Sequence, residues 1–216
     1  NPKYDVAGTG YRQPGSAWKP IVYTTGFDER VLTPGSVLLD ITTAFAPGWS
    51  PKDADGRNRG PVLARYALQQ SLNIPAIRAL GKVGSKALDQ YTSKAGITYP
   101  FGRKMIGQAG LAAAIGTVEV RLLELTAAYG ALGDGGQVTE PRYILSVKDA
   151  KGKTVYEAGK PAKRKVWSPQ AAWLTANILA GNSDPKQNPY WGKNFQLTNG
   201  PGGRRRIMAL KTGTTN

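Results

Sequence analysis

Histidine and cysteine are both absent from the 216 residues. Their absence excludes a Ser-His-Asp triad, a Cys-His nucleophile and any thiolate or imidazole zinc site, so no metal or cofactor is expected. Catalysis, if present, has to run on Ser, Thr, Lys, Asp, Glu or Tyr. A disulfide framework is excluded too, which leaves the redox compartment open. Long apolar runs are missing: none approaches the roughly 18 residues of a membrane span. The first residues, Asn1-Pro2-Lys3, carry neither an initiator Met nor a signal-peptide pattern, and the chain is expected to be excised from something longer. Acidic residues are scarce, 14 against 29 Lys and Arg, for a formal net charge of +15. The basic residues are scattered, and the densest clusters, Lys160 to Lys165 and Arg204 to Arg206, lack interleaved aromatic residues. Nucleic-acid binding is therefore not expected; a solvated basic surface, or attraction to an anionic lipid or pyrophosphate-linked partner, fits better.

What is present reads as one sizeable mixed α+β domain, long enough to bury about 70% of the surface of its unfolded chain. The pattern predicts a helix from Ser16 to about Thr25 with Gly26 behind it, and Pro20 tolerated in its first turn. Pro61 suits the first position of a second helix, which runs to a break at Ser71 to Pro75. Further helices are expected from Pro75 to Val83, from Ser85 to Gly96, from Val120 to Leu132 and from Ser168-Pro169 to Leu179. A surface hairpin is expected around Asp149-Ala150-Lys151-Gly152, and a strand over Ile207 to Lys211.

Three short motifs stand in order: Ser16-Ala17-Trp18-Lys19, Ser71-Leu72-Asn73 and Lys211-Thr212-Gly213. Singly each has a plain structural reading, as a capping serine with a solvated lysine, an interhelical turn and a strand end. A Ser-x-x-Lys arises about once by chance in a chain of this length, and Ser183-Asp184-Pro185-Lys186 is such a match, placed beyond a helix end. At Ser16 the context differs, because Pro14-Gly15 leads into a first turn that sets a hydroxyl and an amine three residues apart. A serine needs a base, and without histidine that base is a lysine whose pKa burial or a second cation has lowered. Lys19 is the candidate base, Ser16 the nucleophile and Lys211 the second cation.

The order of the three motifs marks serine acyltransferases that react with β-lactams. Around them, Arg12 to Pro20, Ala67 to Ala76, Leu123 to Tyr129 and Lys211 to Asn216 resemble segments of the transpeptidase domain of class A penicillin-binding proteins. The resemblance covers nearly the whole chain. It implies the serine β-lactamase and transpeptidase fold, with an antiparallel sheet flanked by helices. It also implies strands ahead of Ser16 and after Lys211-Thr212-Gly213, so that residues 1–216 are expected to be one domain truncated at both ends. The activity implied is peptidoglycan cross-linking: attack on the D-Ala-D-Ala end of a stem peptide, loss of the last D-Ala, and transfer to an amine, with carboxypeptidase side activity and inhibition by β-lactam antibiotics. Carried over by motif, Ser71 relays a proton to the leaving group and Asn73 bonds Lys19 and substrate. Lys211, Thr212, Gly213 and Thr214 form the substrate-binding segment, in which Lys211, Thr212 and Thr214 hold the substrate carboxylate. The N–H groups of Ser16 and Thr214 form the oxyanion hole. Implied as well are an upstream glycosyltransferase domain, a membrane anchor outside this chain and a place on the extracytoplasmic face of the bacterial membrane. Leu210 departs from the family, which commonly has Gly there. A serine β-lactamase and a noncatalytic sensor or scaffold are the alternatives; Leu72 in place of the Asp of Ser-Asp-Asn, and the lack of a clear deacylating Glu, count against the former.

Overall fold

The computed structural model describes residues 3–215; Asn1 and Pro2, and Asn216 at the end of the third motif's segment, lie outside them. Helix α1, Lys19–Asp28, is the centre of the molecule: every residue from Lys19 to Phe27 is buried. A helix enclosed on all sides has no polar face to spare, so its sequence is apolar or internally satisfied throughout. It packs against α3 (Asn73–Val83), α4 (Ser85–Lys94) and α7 (Pro169–Ala180). Between these run the short helices α2 (Ala64–Gln69) and α5 (Lys104–Ala109), and then α6 (Leu122–Gly133), which lies against α7.

The strands are short and pair only in antiparallel ribbons. Tyr11–Arg12 (β1) pairs with Val120–Arg121 (β4), and Val37–Asp40 (β2) with Gly60–Leu63 (β3). Gln137–Thr139 (β5) pairs with Lys163–Lys165 (β8), and Ser146–Lys148 (β6) with Thr154–Glu157 (β7), the expected surface hairpin. The one flanked sheet that the resemblance implied is thus represented among the described residues by four two-stranded pieces.

Several expected boundaries move, each for a local reason. The turn Gly15–Trp18 is 3-10, not α-helical, because Pro20 has no N–H to give the Ser16 carbonyl, which accepts from Lys19 instead. Gly26 lies inside α1, where a Cβ would come 2.6 Å from Leu32 Cδ1, so glycine there serves close packing and not helix termination. Pro61 is in β3 opposite Leu39, on a ribbon edge that tolerates a missing donor, and the helix begins only at Ala64. Asn73, not Pro75, starts α3; Leu122, not Val120, starts α6, since Val120 is paired in β4. Ser85 is the first residue of α4 with Gly84 at the cap position, whereas Ser168 caps α7 as expected, its hydroxyl accepting from Ala171 N. Residues 207–211 form no strand. Leu210 is fastened instead by its N–H to Leu179 O at 3.3 Å and by its carbonyl to Asn182 Nδ2 at 3.0 Å.

Candidate active site

The 3-10 turn does more than begin a helix. With three residues per turn, side chains at i and i+3 eclipse one another, so Ser16 and Lys19 stand on the same edge and Lys19 Nζ lies 3.1 Å from Ser16 Oγ. Lys19 is fully buried at the start of α1. Its amine reaches three further acceptors: Ser71 O at 2.6 Å, Asn73 Oδ1 at 2.7 Å and Ser71 Oγ at 3.4 Å.

Ser71 ends the α2–α3 junction with φ +61°, in the left-handed region that a serine adopts only at a cost of about 1 kcal/mol or more. That twist interrupts the two helices and aims the Ser71 carbonyl at Lys19, while Asn73 opens α3 two residues later. The third motif closes the arrangement from another side. Lys211 Nζ bonds Ser71 Oγ at 2.7 Å and Thr212 O at 2.9 Å, leaving the Ser71 hydroxyl between two amines. Gly213 lies against Ala17, whose backbone N would be 3.1 Å from an added Cβ. Gly15, at φ +52°, lets Thr214 approach the nucleophile turn, and its N–H is anchored on Gly116 O at 3.2 Å.

These segments line a cleft of about 1160 Å³, with Ser16, Ser71, Asn73, Thr212, Gly213 and Thr214 on its walls. The structure therefore brings all three motifs together. Ser183 is excluded from the group: it is buried, donates to Ala180 O at 3.0 Å and accepts from Met208 N at 3.2 Å, with Lys186 out in solvent. Three features of the cleft were not anticipated from the sequence. Tyr190 and Trp191 stand on its wall in edge-to-face contact, and the turn at Gly116 forms another side. Asp53 and Arg59 form a third; only the Pro51 and Gly56 turn residues around Asp53 hinted at an ordered loop.

Two buried amines close to one another cannot both hold protons easily. Burial, then the neighbouring Lys211, push Lys19 from 10.5 down to about 7, against the opposing pull of Asp53. Lys211 is likewise brought down to about 7 by burial. The unfolded chain keeps both protons up to pH 10.5, the folded protein only to about 7. Between those values the unfolded state binds more protons, so stability rises with pH, by at most about 1.4 kcal/mol per pH unit for each amine. Thermal melts from pH 6 to 10 are expected to show Tm climbing over this range, with a shallower climb in Lys19→Met. An identical slope in the variant would show that Lys19 is not a depressed amine.

Comparison with known proteins identifies the family. The penicillin binding protein transpeptidase domain family matches residues 2–216. Penicillin-binding protein 1F of Bacillus subtilis is 33% identical over 174 residues, which is 79% of this chain and 23% of that protein. Penicillin-binding protein 1A of Aquifex aeolicus is 30% identical over 224 residues, 99% of this chain and 28% of that protein. The chain thus spans about a quarter of the length of these relatives. The crystal structure of penicillin-binding protein 1A from Haemophilus influenzae superposes with a TM-score of 0.72 at 27% identity, covering 84% of this chain and 31% of that one. With this fold, and with relatives of the 1A and 1F type, the chain belongs to the penicillin-binding protein transpeptidase family, among its class A members.

Proposed function

We propose that residues 1–216 carry the acylation centre of a D,D-transpeptidase that cross-links peptidoglycan stem peptides, as part of a longer protein. The observation that carries this reading is the buried amine of Lys19 held among Ser16 Oγ, Ser71 and Asn73 Oδ1. A neutral amine has two hydrogens and one lone pair. Its two shortest contacts, to Ser71 O and Asn73 Oδ1, take the hydrogens, and the lone pair is left for the Ser16 hydroxyl. Lys19 accepts the Ser16 proton as Oγ bonds the carbonyl carbon of the penultimate D-Ala, and the charge that forms on the carbonyl oxygen is met by the N–H groups of Ser16 and Thr214. The amide C–N bond then breaks, with the leaving amine protonated through the Ser71 hydroxyl, which Lys211 and Lys19 both contact. Lys211, Thr212 and Thr214 hold the terminal carboxylate. An amine from a second strand takes the acyl group and restores Ser16.

Transfer is favoured over hydrolysis because each carboxylate on the described cleft wall is already paired with a cation. Among the described residues lining it the carboxylates are Asp53 and Asp55; backbone N–H groups occupy the former and Arg59 pairs with both. The longer protein is read as carrying a glycosyltransferase domain and a membrane anchor, with this domain on the extracytoplasmic side; no helix among the described residues is long and apolar enough to cross a membrane.

Intact-mass measurement after exposure to benzylpenicillin is expected to show one lasting adduct, and peptide mapping to place it on Ser16. An adduct on Ser183, no adduct, or rapid turnover of a chromogenic β-lactam would overturn the reading. The acylation rate should rise as pH passes through about 7, where Lys19 loses its proton. A rate that is flat from pH 6 to 9 would remove Lys19 as the base.

A further inference from the structure

Behind Asn73 stands a carboxylate to which the reaction above gives no part. Asp53 is 5% exposed and lies on the cleft wall. Its Oδ1 accepts the backbone N–H groups of Asn73 and Ile74, the first donors of the eleven-residue α3. The preceding carbonyl, Lys52 O, accepts from Asn73 Nδ2 at 2.8 Å. One short segment thereby grips both the main chain and the side chain of Asn73, whose other amide atom, Oδ1, faces Lys19. Arg59 Nη1 holds the far side, 3.5 Å from Asp53 Oδ2 and 3.4 Å from Asp40 Oδ2. Asp40 Oδ1 and Asp53 Oδ2 are both buried without a hydrogen-bond partner among the described residues.

We propose that Asp53 is a positioning residue for acylation, which fixes Asn73 and the Ser71 carbonyl on Lys19 through the first turn of α3 and whose negative charge opposes the loss of the Lys19 proton. The proposal rests on the acylation reading of the site. The cap works through geometry: a misplaced α3 start would move three of the four groups that contact the amine, Ser71 O, Ser71 Oγ and Asn73 Oδ1. The charge works in the opposite sense to Lys211, because an anion near Lys19 favours its ammonium form. Asp53 itself is raised to about 6, by burial first and then by Asp40, against the N–H groups of Asn73 and Ile74. The groups that face it are Lys19 and Tyr23 from α1, Asp40 from β2, and Arg59 from its own loop. The first-turn N–H groups of α3 complete the set.

The test compares the natural chain with Asp53→Asn and Asp53→Ala, by fluorescent-penicillin labelling rates from pH 5.5 to 9 and by NMR titration of the Lys19 ε-carbon. Asn keeps an acceptor for the helix, can turn its amide N–H to Asp40, and removes the charge. Its plateau rate should stay within about twofold, while the acid limb moves to lower pH, so that labelling at pH 6.5, relative to each protein's own plateau and where Asp53 of the natural chain is still mostly ionised, is about twofold faster. Ala loses the cap, and its plateau should fall about tenfold. A wild-type plateau in Asp53→Ala, or an unmoved acid limb and unmoved Lys19 titration in Asp53→Asn, would overturn the proposal. Should Asp53→Ala fail to fold, the Asn variant decides alone. If penicillin leaves the natural chain unlabelled, the acylation reading falls, and the Lys19 titration still reports whether Asp53 governs that amine.

Discussion

Ser16→Ala is expected to take up no β-lactam, and Lys19→Arg to be acylated about a thousandfold more slowly than the natural chain. The serine result follows because, among the described residues, the one other hydroxyl in contact with the Lys19 amine is that of Ser71, at 3.4 Å against 3.1 Å for Ser16 Oγ. Ser71 Oγ is engaged at 2.7 Å by Lys211, and Ser183 is buried in contacts of its own. The arginine result separates charge from basicity. Arginine keeps a cation between Ser71 and Asn73, but its guanidinium does not deprotonate near neutral pH and has no lone pair for the Ser16 proton. Lys19, by contrast, sits at about 7 and is substantially neutral at pH 8. Second-order labelling rates at pH 8, with circular dichroism to confirm the fold, measure both variants. A Lys19→Arg rate within threefold of the natural chain would refute the base role, and undiminished labelling of Ser16→Ala would place the nucleophile elsewhere.

Gly15→Ala should lower acylation about a hundredfold while changing Tm much less. Its backbone is at φ +52°, and a Cβ there would come 1.9 Å from Thr214 O and 3.0 Å from Thr214 C. The obstacle is main chain, so no rotamer change relieves it, and the 212–214 segment has to withdraw from the nucleophile turn. Withdrawal takes the Thr214 N–H away from the place where negative charge develops, and one lost donor of this kind costs 10²–10³ in rate. Stability suffers less because Gly213 and Thr214 are exposed and lie outside the core. Gly48→Ala is the control: its φ is +73°, so the left-handed strain is comparable, but nothing lies within 4 Å of the added carbon. Equal labelling rates for the two variants would mean that the close approach of Thr214 to Gly15 is not needed for acylation.

The local consequences of single residues could be read from the sequence where the chain settles them within a few positions. The spacing of Ser16 and Lys19 placed hydroxyl and amine side by side, and the structure sharpened the reason, since it is Pro20 that makes the turn 3-10. The Ser168-Pro169 start of α7 and the β6–β7 hairpin followed from capping and turn chemistry alone. Helix beginnings were misread at Pro61 and Val120, where a proline or an apolar residue suits a helix and a short strand equally. The choice there depends on partners, Leu39 and Arg12, that are remote in sequence. The run Ile207 to Lys211 looked like a strand, yet a strand exists only beside another, and the described residues offer that run a helix end instead.

By itself, then, the sequence determined which groups are available for chemistry: with no histidine or cysteine, Ser, Thr, Lys, Asp, Glu and Tyr remain, the motif order singles out Ser16 and Lys19 among them, and glycine stands where two backbones must touch. The tertiary structure alone decided how those groups behave. The bond from Lys19 to Asn73 spans 54 positions and that from Lys211 to Ser71 spans 140, distances along the chain over which no local pattern constrains geometry. Burial under the packed helices, and the meeting of two amines with Asp53 nearby, bring Lys19 down to about 7. A pKa is set by the surroundings of a charge in three dimensions, and those surroundings exist only once the core has closed around α1.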